Sequence, residues 1–436
     1  MAAKARAVGW ILGVALLALV AGEWTASAPG QELPPGQPDE ESVQVLIGPY
    51  LQSVARNEAT VRWETAGPST GRLAWGTNPE CPRATEEPGE STRHEIRLTG
   101  LSPATRYWYR IADSTSSVAV PFTTERDRAS PLRVVVYGDN RTGHEAHAQV
   151  VAGAAASEPD FVLNVGDLVE SPSEALWRTF FAIEAPLISR VPLFPVLGNH
   201  EGDGDRYLQL FRRPDDGTGH GRYYSIRWGL VAVLALDTQQ SVAPGSLQYA
   251  WVEQELAEIA AVPDIVFIFC VLHHGPYCAA SGHGSNLDVR SYLVPLFERY
   301  GVDIVFSGHD HVYERSTVNG VKYVVTGAGG APLHAAGHGW WTEVSASVYE
   351  YCVLDVKGGT LGFTAFDAET GAVVDGFQLA KRTNECAGDL GCSDLAPREC
   401  PPGEVGGYRC VATTCVWDCT QAPPPPRVRR RLQRAS

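Results

Sequence analysis

Between Leu132 and His311 the chain repeats one arrangement, a short apolar run that stops on a polar, ligand-type residue. Leu132–Tyr137 stops at Gly138-Asp139, Phe161–Val165 at Gly166-Asp167, and Leu193–Leu197 at Gly198-Asn199-His200-Glu201. Ile265–Leu272 stops at His273-His274, and Ile304–Phe306 at Ser307-Gly308-His309-Asp310-His311. Helical stretches are predicted between these runs, at Glu145–Ser157, Ser246–Ala260 and Asn286–Tyr300. Alternation of strand and helix predicts a layered α/β fold. In open sheets of that kind ligands bind beyond the carboxyl ends of the strands. The spacing therefore gathers the Asp, Asn and His residues at one edge. Eleven of the twelve histidines lie between 144 and 338, with His94 outside. Residues 321–378 read as β-rich hairpins, with turns at Asn319-Gly320 and Lys357-Gly358-Gly359.

A single Asp at a strand end is ordinarily a turn residue, and a lone His is ordinarily structural. Five coincident strand ends call for a common purpose. Asp, Asn and His together suit zinc, manganese or iron rather than an all-oxygen calcium cage. The donors exceed one tetrahedral site, so a carboxylate bridging two ions is the economical arrangement. Such a pair can clamp the attacking and leaving oxygens of a displacement at phosphorus and lower the pKa of bound water.

The ordered set GDN (138–140), GDLVE (166–170), GNHE (198–201), VLHH (271–274) and GHDHVYER (308–315) resembles the calcineurin-like metallophosphoesterases. The β-rich segment before it makes the purple acid phosphatase branch the nearer likeness, over about residues 43–380. The resemblance implies a four-layer αββα catalytic domain within an α+β multidomain chain, and two metal ions drawn from Fe, Zn and Mn. It implies Asp139 as a ligand of the first ion, Asp167 as the bridge, Asn199 and His309 as ligands of the second, and His311 as a ligand of the first. His200 is expected to face the phosphate and to stabilise or protonate the leaving group. For the remaining ligand, the VxxH pattern alone points to His274. The downstream match through Tyr277-Cys278 and His283-Gly284 favours His273, and makes His283 a second substrate-facing histidine.

The chain departs from the branch at two places. Glu170 stands where the purple members have a tyrosine ligand, so no iron–phenolate colour is expected. Arg141 stands where Gly or His is usual, and a guanidinium there can grip phosphate with two parallel hydrogen bonds. The plainer alternatives for Arg141 are capping the next helix or pairing with Glu145. His144 and His147 are candidates to replace the missing first-ion ligand. Asp203-Gly204-Asp205 resembles a calcium loop but is expected to be a solvated loop.

The rest of the chain sets the context. Residues 1–28 read as a signal peptide, with Lys4 and Arg6 before an apolar run, Gly9–Gly22, too short for a bilayer span. Residues 29–42 are a Pro-rich linker. Residues 43–126 alternate apolar and polar without a helical period, as in Thr105–Ile111, and resemble a fibronectin type III-like β-sandwich. The catalytic domain is expected at 131–380. Residues 384–421 hold six of the ten cysteines and read as a disulfide-stapled module, and 422–436 form a Pro-stiffened basic tail. These features point to a secreted, periplasmic or cell-surface protein, without stable membrane insertion once the signal is cleaved.

The 436 residues carry 35 basic and 50 acidic side chains, a formal charge of −15. Setting aside Lys4, Arg6 and Glu23 at one end and the five arginines of the last ten residues leaves 28 against 49, a net of −21. A body this acidic disfavours nucleic-acid binding by counterion release. A phosphate ester remains a suitable substrate where bound metal reverses the local sign. The expected activity is hydrolysis of phosphate monoesters by metal-activated hydroxide, as in acid phosphatases. A phosphodiesterase and a non-catalytic surface-binding protein are the alternatives.

Overall fold

The computed structural model describes residues 43–114, 118–128, 130–211 and 221–381, and the backbone of a hairpin pairing Glu404–Val411 with Thr414–Gln421. The expected signal peptide, the linker, the basic tail and the first three residues of the cysteine cluster lie outside them. The side chains of Cys410, Cys415 and Cys419 do so too. Cys81, Cys270, Cys278 and Cys352 are buried free thiols. Among the described residues no helix is long and apolar enough to cross a membrane.

The N-terminal part is β throughout, with strands β1 (Val45–Gln52), β2 (Glu58–Gly76), β3 (Arg83–Thr99), β4 (Arg106–Ile111) and β5 (Val120–Thr123). The beginning of β2 pairs with β1, its last residues pair with β4, and β3 lies along most of its length. The period-2 pattern sets its faces: Ala59, Val61 and Trp63 of β2 are buried, as are Tyr107, Tyr109 and Ile111 of β4. His94, the histidine outside the cluster, is buried here. It stacks on Trp63 at 4.8 Å and its Nδ1 lies 3.0 Å from Glu87, so its role is structural.

The larger part begins at β6 (Leu132–Tyr137), followed by α1 (His144–Ala156), β7 (Phe161–Asn164), α2 (Glu174–Ile188), β8 (Leu193–Pro195) and α3 (Asp205–Leu210). Next come β9 (Tyr224–Trp228), β10 (Val231–Ala235), α4 (Leu247–Ala260), β11 (Phe267–His274), α5 (Leu287–Tyr292), α6 (Val294–Tyr300) and β12 (Ile304–Gly308). The predicted helix Asn286–Tyr300 is thus two. Pro295 has no N–H to give to the preceding turn and starts a new helix, while Asn286 caps the first by accepting from the Val289 N–H. Strands β13 (Tyr313–Val318), β14 (Val321–Thr326), β15 (Thr342–Ala346), β16 (Glu350–Lys357), β17 (Thr360–Asp367) and β18 (Val373–Ala380) complete it.

These strands form two sheets, ordered β18-β17-β16-β6-β7-β8 and β15-β13-β14-β12-β11-β10-β9. β6, β7 and β8 run parallel, as do β10, β11, β12 and β14. One face of each sheet contributes to a shared core: Val134, Val136, Phe161 and Leu163 from the first, Val233, Phe269, Val271 and Phe306 from the second. The alternate residues face the helices. Val135, Tyr137 and Val162 pack with residues of α1 and α2, while Leu234, Ile268 and Cys270 pack with residues of α4 and α6. The layering is helix, sheet, sheet, helix.

The N-terminal strands are tied to the segment that follows the GNHE run. The Tyr50 hydroxyl donates to the Leu210 carbonyl at 2.7 Å, and Arg206 forks onto Glu64 at 2.8 and 2.6 Å. The Tyr109 hydroxyl donates to the Ser189 carbonyl at 2.7 Å, just after α2.

Candidate metal centre

The edge of the two sheets is built by sharp turns off the strand ends. Asp139, Asp167 and His309 follow β6, β7 and β12, and all three have positive φ, at 56°, 54° and 69°. That region is unfavourable for a side chain with a Cβ, though Asp and His tolerate it better than most, and such strain concentrates at functional sites. Two glycines keep the carboxylates in place. A Cβ on Gly308 would collide with Oδ2 of Asp139, and one on Gly198 with Oδ1 of Asp167. Both glycines stand in the motif runs because nothing larger fits.

Asp139, Asp167 and His273 bring one ligand atom each within 4.8 Å of one another, and so do His273, His274 and His309. The Asn199 Oδ1 lies 3.0 Å from Nε2 of His273 and completes the convergence on that side. His311 Nε2 is 3.7 Å from Oδ1 of Asp139. Three imidazoles are held in a known tautomer. Nδ1 of His273 lies 2.8 Å from the Val165 carbonyl, Nδ1 of His311 2.7 Å from that of Pro332, and Nδ1 of His200 2.8 Å from that of Glu170. A carbonyl only accepts, so each Nδ1 carries the proton and each Nε2 offers its lone pair to the site. His274 is held differently. Its Nδ1 meets the Thr238 hydroxyl at 2.8 Å, a group that both gives and takes, so its tautomer is not set.

The electrostatics suit a cation. Burial, with Asp167 close by, raises the Asp139 pKa well above the usual carboxylate range. Burial raises Asp167 also, opposed by the hydrogen bond from the His200 N–H. Burial, with the neighbouring imidazoles, pulls His273 well down and His309 down to about 2, and burial brings His311 down to about 4. Two buried carboxylates beside unprotonated imidazoles are a costly arrangement for a chain alone. They match the hard and intermediate donors of a two-ion zinc, iron or manganese centre.

Several residues around the ligands were not singled out from the sequence. Glu201 is fully buried and accepts from the N–H groups of Gly198 (2.7 Å), Leu168 (2.8 Å), Asp167 (3.1 Å) and Val169 (3.3 Å). It joins the turn carrying Asp167 to the turn carrying Asn199 and His200. Asp310 accepts from the N–H groups of His283 (2.7 Å) and Gly284 (2.8 Å), fixing that loop over the edge. His283 itself is exposed and stacks on His309 at 4.0 Å. His334 stacks on His311 at 4.1 Å.

Arg141 neither caps α1 nor pairs with Glu145. Its guanidinium binds the Glu170 carboxylate, reaches within 3.6 Å of Asp167 Oδ2, and lies 3.4 Å from His311 Nε2. His147 turns away from the edge: its Nε2 is 2.8 Å from Glu184, which also accepts from the Tyr137 hydroxyl. His144 is exposed at the start of α1. In the Asp203-Gly204-Asp205 loop, Asp203 accepts from the Asp205 N–H at the start of α3.

A two-sheet core flanked by helices, with Asp, Asn and His converging at one edge, defines a metallophosphoesterase fold. Residues 132–313 match the calcineurin-like phosphoesterase family. The chain is similar to Purple acid phosphatase 23 of Arabidopsis thaliana, with 28% identity over 271 residues, 51% of this chain and 57% of that one. It is also similar to Probable inactive purple acid phosphatase 27 of the same plant, 26% identical over 266 residues, 51% of this chain and 44% of that one. Among solved structures, its fold resembles purple acid phosphatase PPD1 from yellow lupin seeds, with a TM-score of 0.65 and 21% identity over 76% of this chain and 74% of that one. The chain spans little more than half the length of the first of these relatives.

Proposed function

We propose that the chain is an exported binuclear-metal phosphoesterase that hydrolyses phosphate monoesters. The observation that carries this reading is the convergence of imidazoles and buried carboxylates, with Nε2 of His273 and His311 left free by carbonyls that hold Nδ1. Asp139, Asp167 and His311 would hold the first ion, and Asp167, Asn199, His273 and His309 the second. His273 is preferred over His274 because its tautomer is fixed and its Nε2 faces both Asn199 and Asp167, at 3.0 and 3.4 Å. The ions supply the positive charge that draws in a phosphate and lower the pKa of the attacking water.

His200 is a quarter exposed, with Nε2 3.8 Å from Asp167. Only as the doubly protonated ring would it carry a second proton, at Nε2, for delivery to the leaving oxygen, while the Glu170 carbonyl keeps Nδ1–H and the ring oriented. His283, on the loop pinned by Asp310, is placed to meet the outer part of the ester. Arg141 would grip a phosphate oxygen by exchanging part of its hold on Glu170. No tyrosinate is proposed, so the loaded protein should lack iron–phenolate colour.

The same reading keeps residues 1–28 as an export signal, 43–126 as a fibronectin type III-like sandwich, 131–380 as the catalytic domain and 384–421 as a disulfide-stapled module. Assay of the purified chain with Mn²⁺ or Zn²⁺ against p-nitrophenyl phosphate and bis-p-nitrophenyl phosphate tests the function. Faster turnover of the monoester is expected. Preference for the diester would replace the monoesterase reading with a phosphodiesterase. No turnover of either, with metal shown to be bound, would leave a binding protein with a lapsed centre.

A further inference from the structure

The two halves of the centre differ in the donors available to an ion. On one side, His273, His274 and His309 bring their nitrogens within 4.8 Å, with the Asn199 amide beside them. On the other, the Arg141 guanidinium stands among the donors. Nη2 is 3.4 Å from His311 Nε2, and Nε is 3.6 Å from Asp167 Oδ2 and buried without a hydrogen-bond partner of its own. Nη1 holds the Glu170 carboxylate, and the Arg141 side chain is only 15% exposed. An arginine does not give up its proton in a protein, so this positive charge is permanent. Glu170 balances part of that charge and Asp139 favours a cation on this side, so what the pair withholds is a donor. The first position has Asp139, Asp167 and His311, where the second has Asp167, Asn199, His273 and His309. Glu170, a carboxylate that could turn toward such an ion, is already engaged.

We propose that the two ions are held unequally. The Arg141–Glu170 pair makes the position at Asp139, Asp167 and His311 the labile one, and the position at Asn199, His273 and His309 retains its ion. The proposal rests on the binuclear reading above and adds an order of occupancy that the pair imposes. Arg141 is here a positioning residue that sets the strength of the first site by engaging Glu170.

The test counts metal. The chain is loaded with Mn²⁺ or Zn²⁺, desalted by gel filtration, analysed for metal per chain by mass spectrometry, and titrated with the free ion. The wild type is expected to keep one ion through desalting and to need roughly tenfold or more free metal for the second. Arg141→Gln is expected to keep two, and Arg141→Lys, which preserves the charge, to keep one. Two ions retained by the wild type with indistinguishable affinities would overturn the proposal, as would an unchanged gap in a folded Arg141→Gln chain. Should that variant fail to fold, the wild-type titration decides alone. A folded wild type that binds no metal under any condition would overturn the binuclear reading itself.

Discussion

His200 and His311 lie at the same edge, yet their surroundings predict opposite consequences of removal. His311→Ala takes away an Nε2 aimed at Asp139, so the first ion should be lost even at free metal that saturates the wild type, as read by metal analysis. His200→Ala should leave metal content unchanged and lower kcat by roughly 10²–10⁴-fold, the usual range for loss of a positioned acid. Equal loss of metal in the two variants would contradict the assignment. Asp139, Asp167, Asn199 and the His309/His311 pair are legible in the sequence because each ends an apolar strand. Glu201 and Asp310 stand in the same motif runs, but their work is to accept backbone N–H groups from turns distant in sequence. Nothing in a linear run distinguishes such a carboxylate from a ligand or a surface acid. The partner of Arg141 is similarly hidden, since Glu170 lies on a different turn.

Among the elements, the strand ends are where sequence and function coincide most closely. Gly308→Ala is expected to fold, because Gly308 ends β12 at the sheet edge, but to displace Asp139 and weaken binding of the first ion. Titration with free Mn²⁺ or Zn²⁺ alongside far-UV circular dichroism checks this, and wild-type affinity for both ions would contradict it. Beneath the edge, Glu184 of α2 bonds both His147 of α1 and Tyr137 of β6, all buried. Glu184→Ala strands both partners and should destabilise the chain by about 3 kcal/mol in chemical denaturation. A change below about 0.5 kcal/mol, the range of an ordinary surface site, would contradict it. The helix Glu174–Ile188 escaped the sequence reading, although Ser173 caps it, because Pro186 interrupts the pattern near its end. Strands β9 and β10 escaped it too: the run Val231–Leu236 also stops on an acid, Asp237, but its carboxylate is taken by Arg222 and the Gln239 N–H rather than joining the metal-type donors. Their place follows from pairing with each other and of β10 with β11, a long-range relation.

For the molecule as a whole, buried ionisable groups predict a pH dependence of stability in the metal-free chain. Glu201 and Glu350 are pushed up to about 8, first by burial. The folded chain keeps their protons where the unfolded chain has released them, so stability falls as pH rises from the ordinary value of 4.5 through about 8. His309 and His311, pulled down to about 2 and about 4, act oppositely: stability falls as pH drops below 6.5 toward those values. Between 4.5 and 6.5 the trends oppose, and above 6.5 the carboxylates act without the histidines. The melting temperature of the metal-free chain should therefore drop between pH 6.5 and 8, and Glu350→Gln should flatten the drop. A rise over that interval would contradict the burial argument.

The order of the strand-end motifs made the layered α/β fold readable across some two hundred residues, because each run delivers a donor-type residue to the same edge. The face-to-face packing of two separate sheets was not readable from periodicity, since strands buried on both faces look alike wherever they lie. On the proposed reading, the donors gathered at that edge make a metal-dependent phosphoester hydrolase. The most direct test is p-nitrophenyl phosphate turnover by one preparation whose metal is counted before chelation, after it, and after return of Mn²⁺ or Zn²⁺. Activity is expected to disappear with the metal and to return with it. Turnover that is the same in all three states, or absent when the centre is shown to be loaded, would contradict the reading.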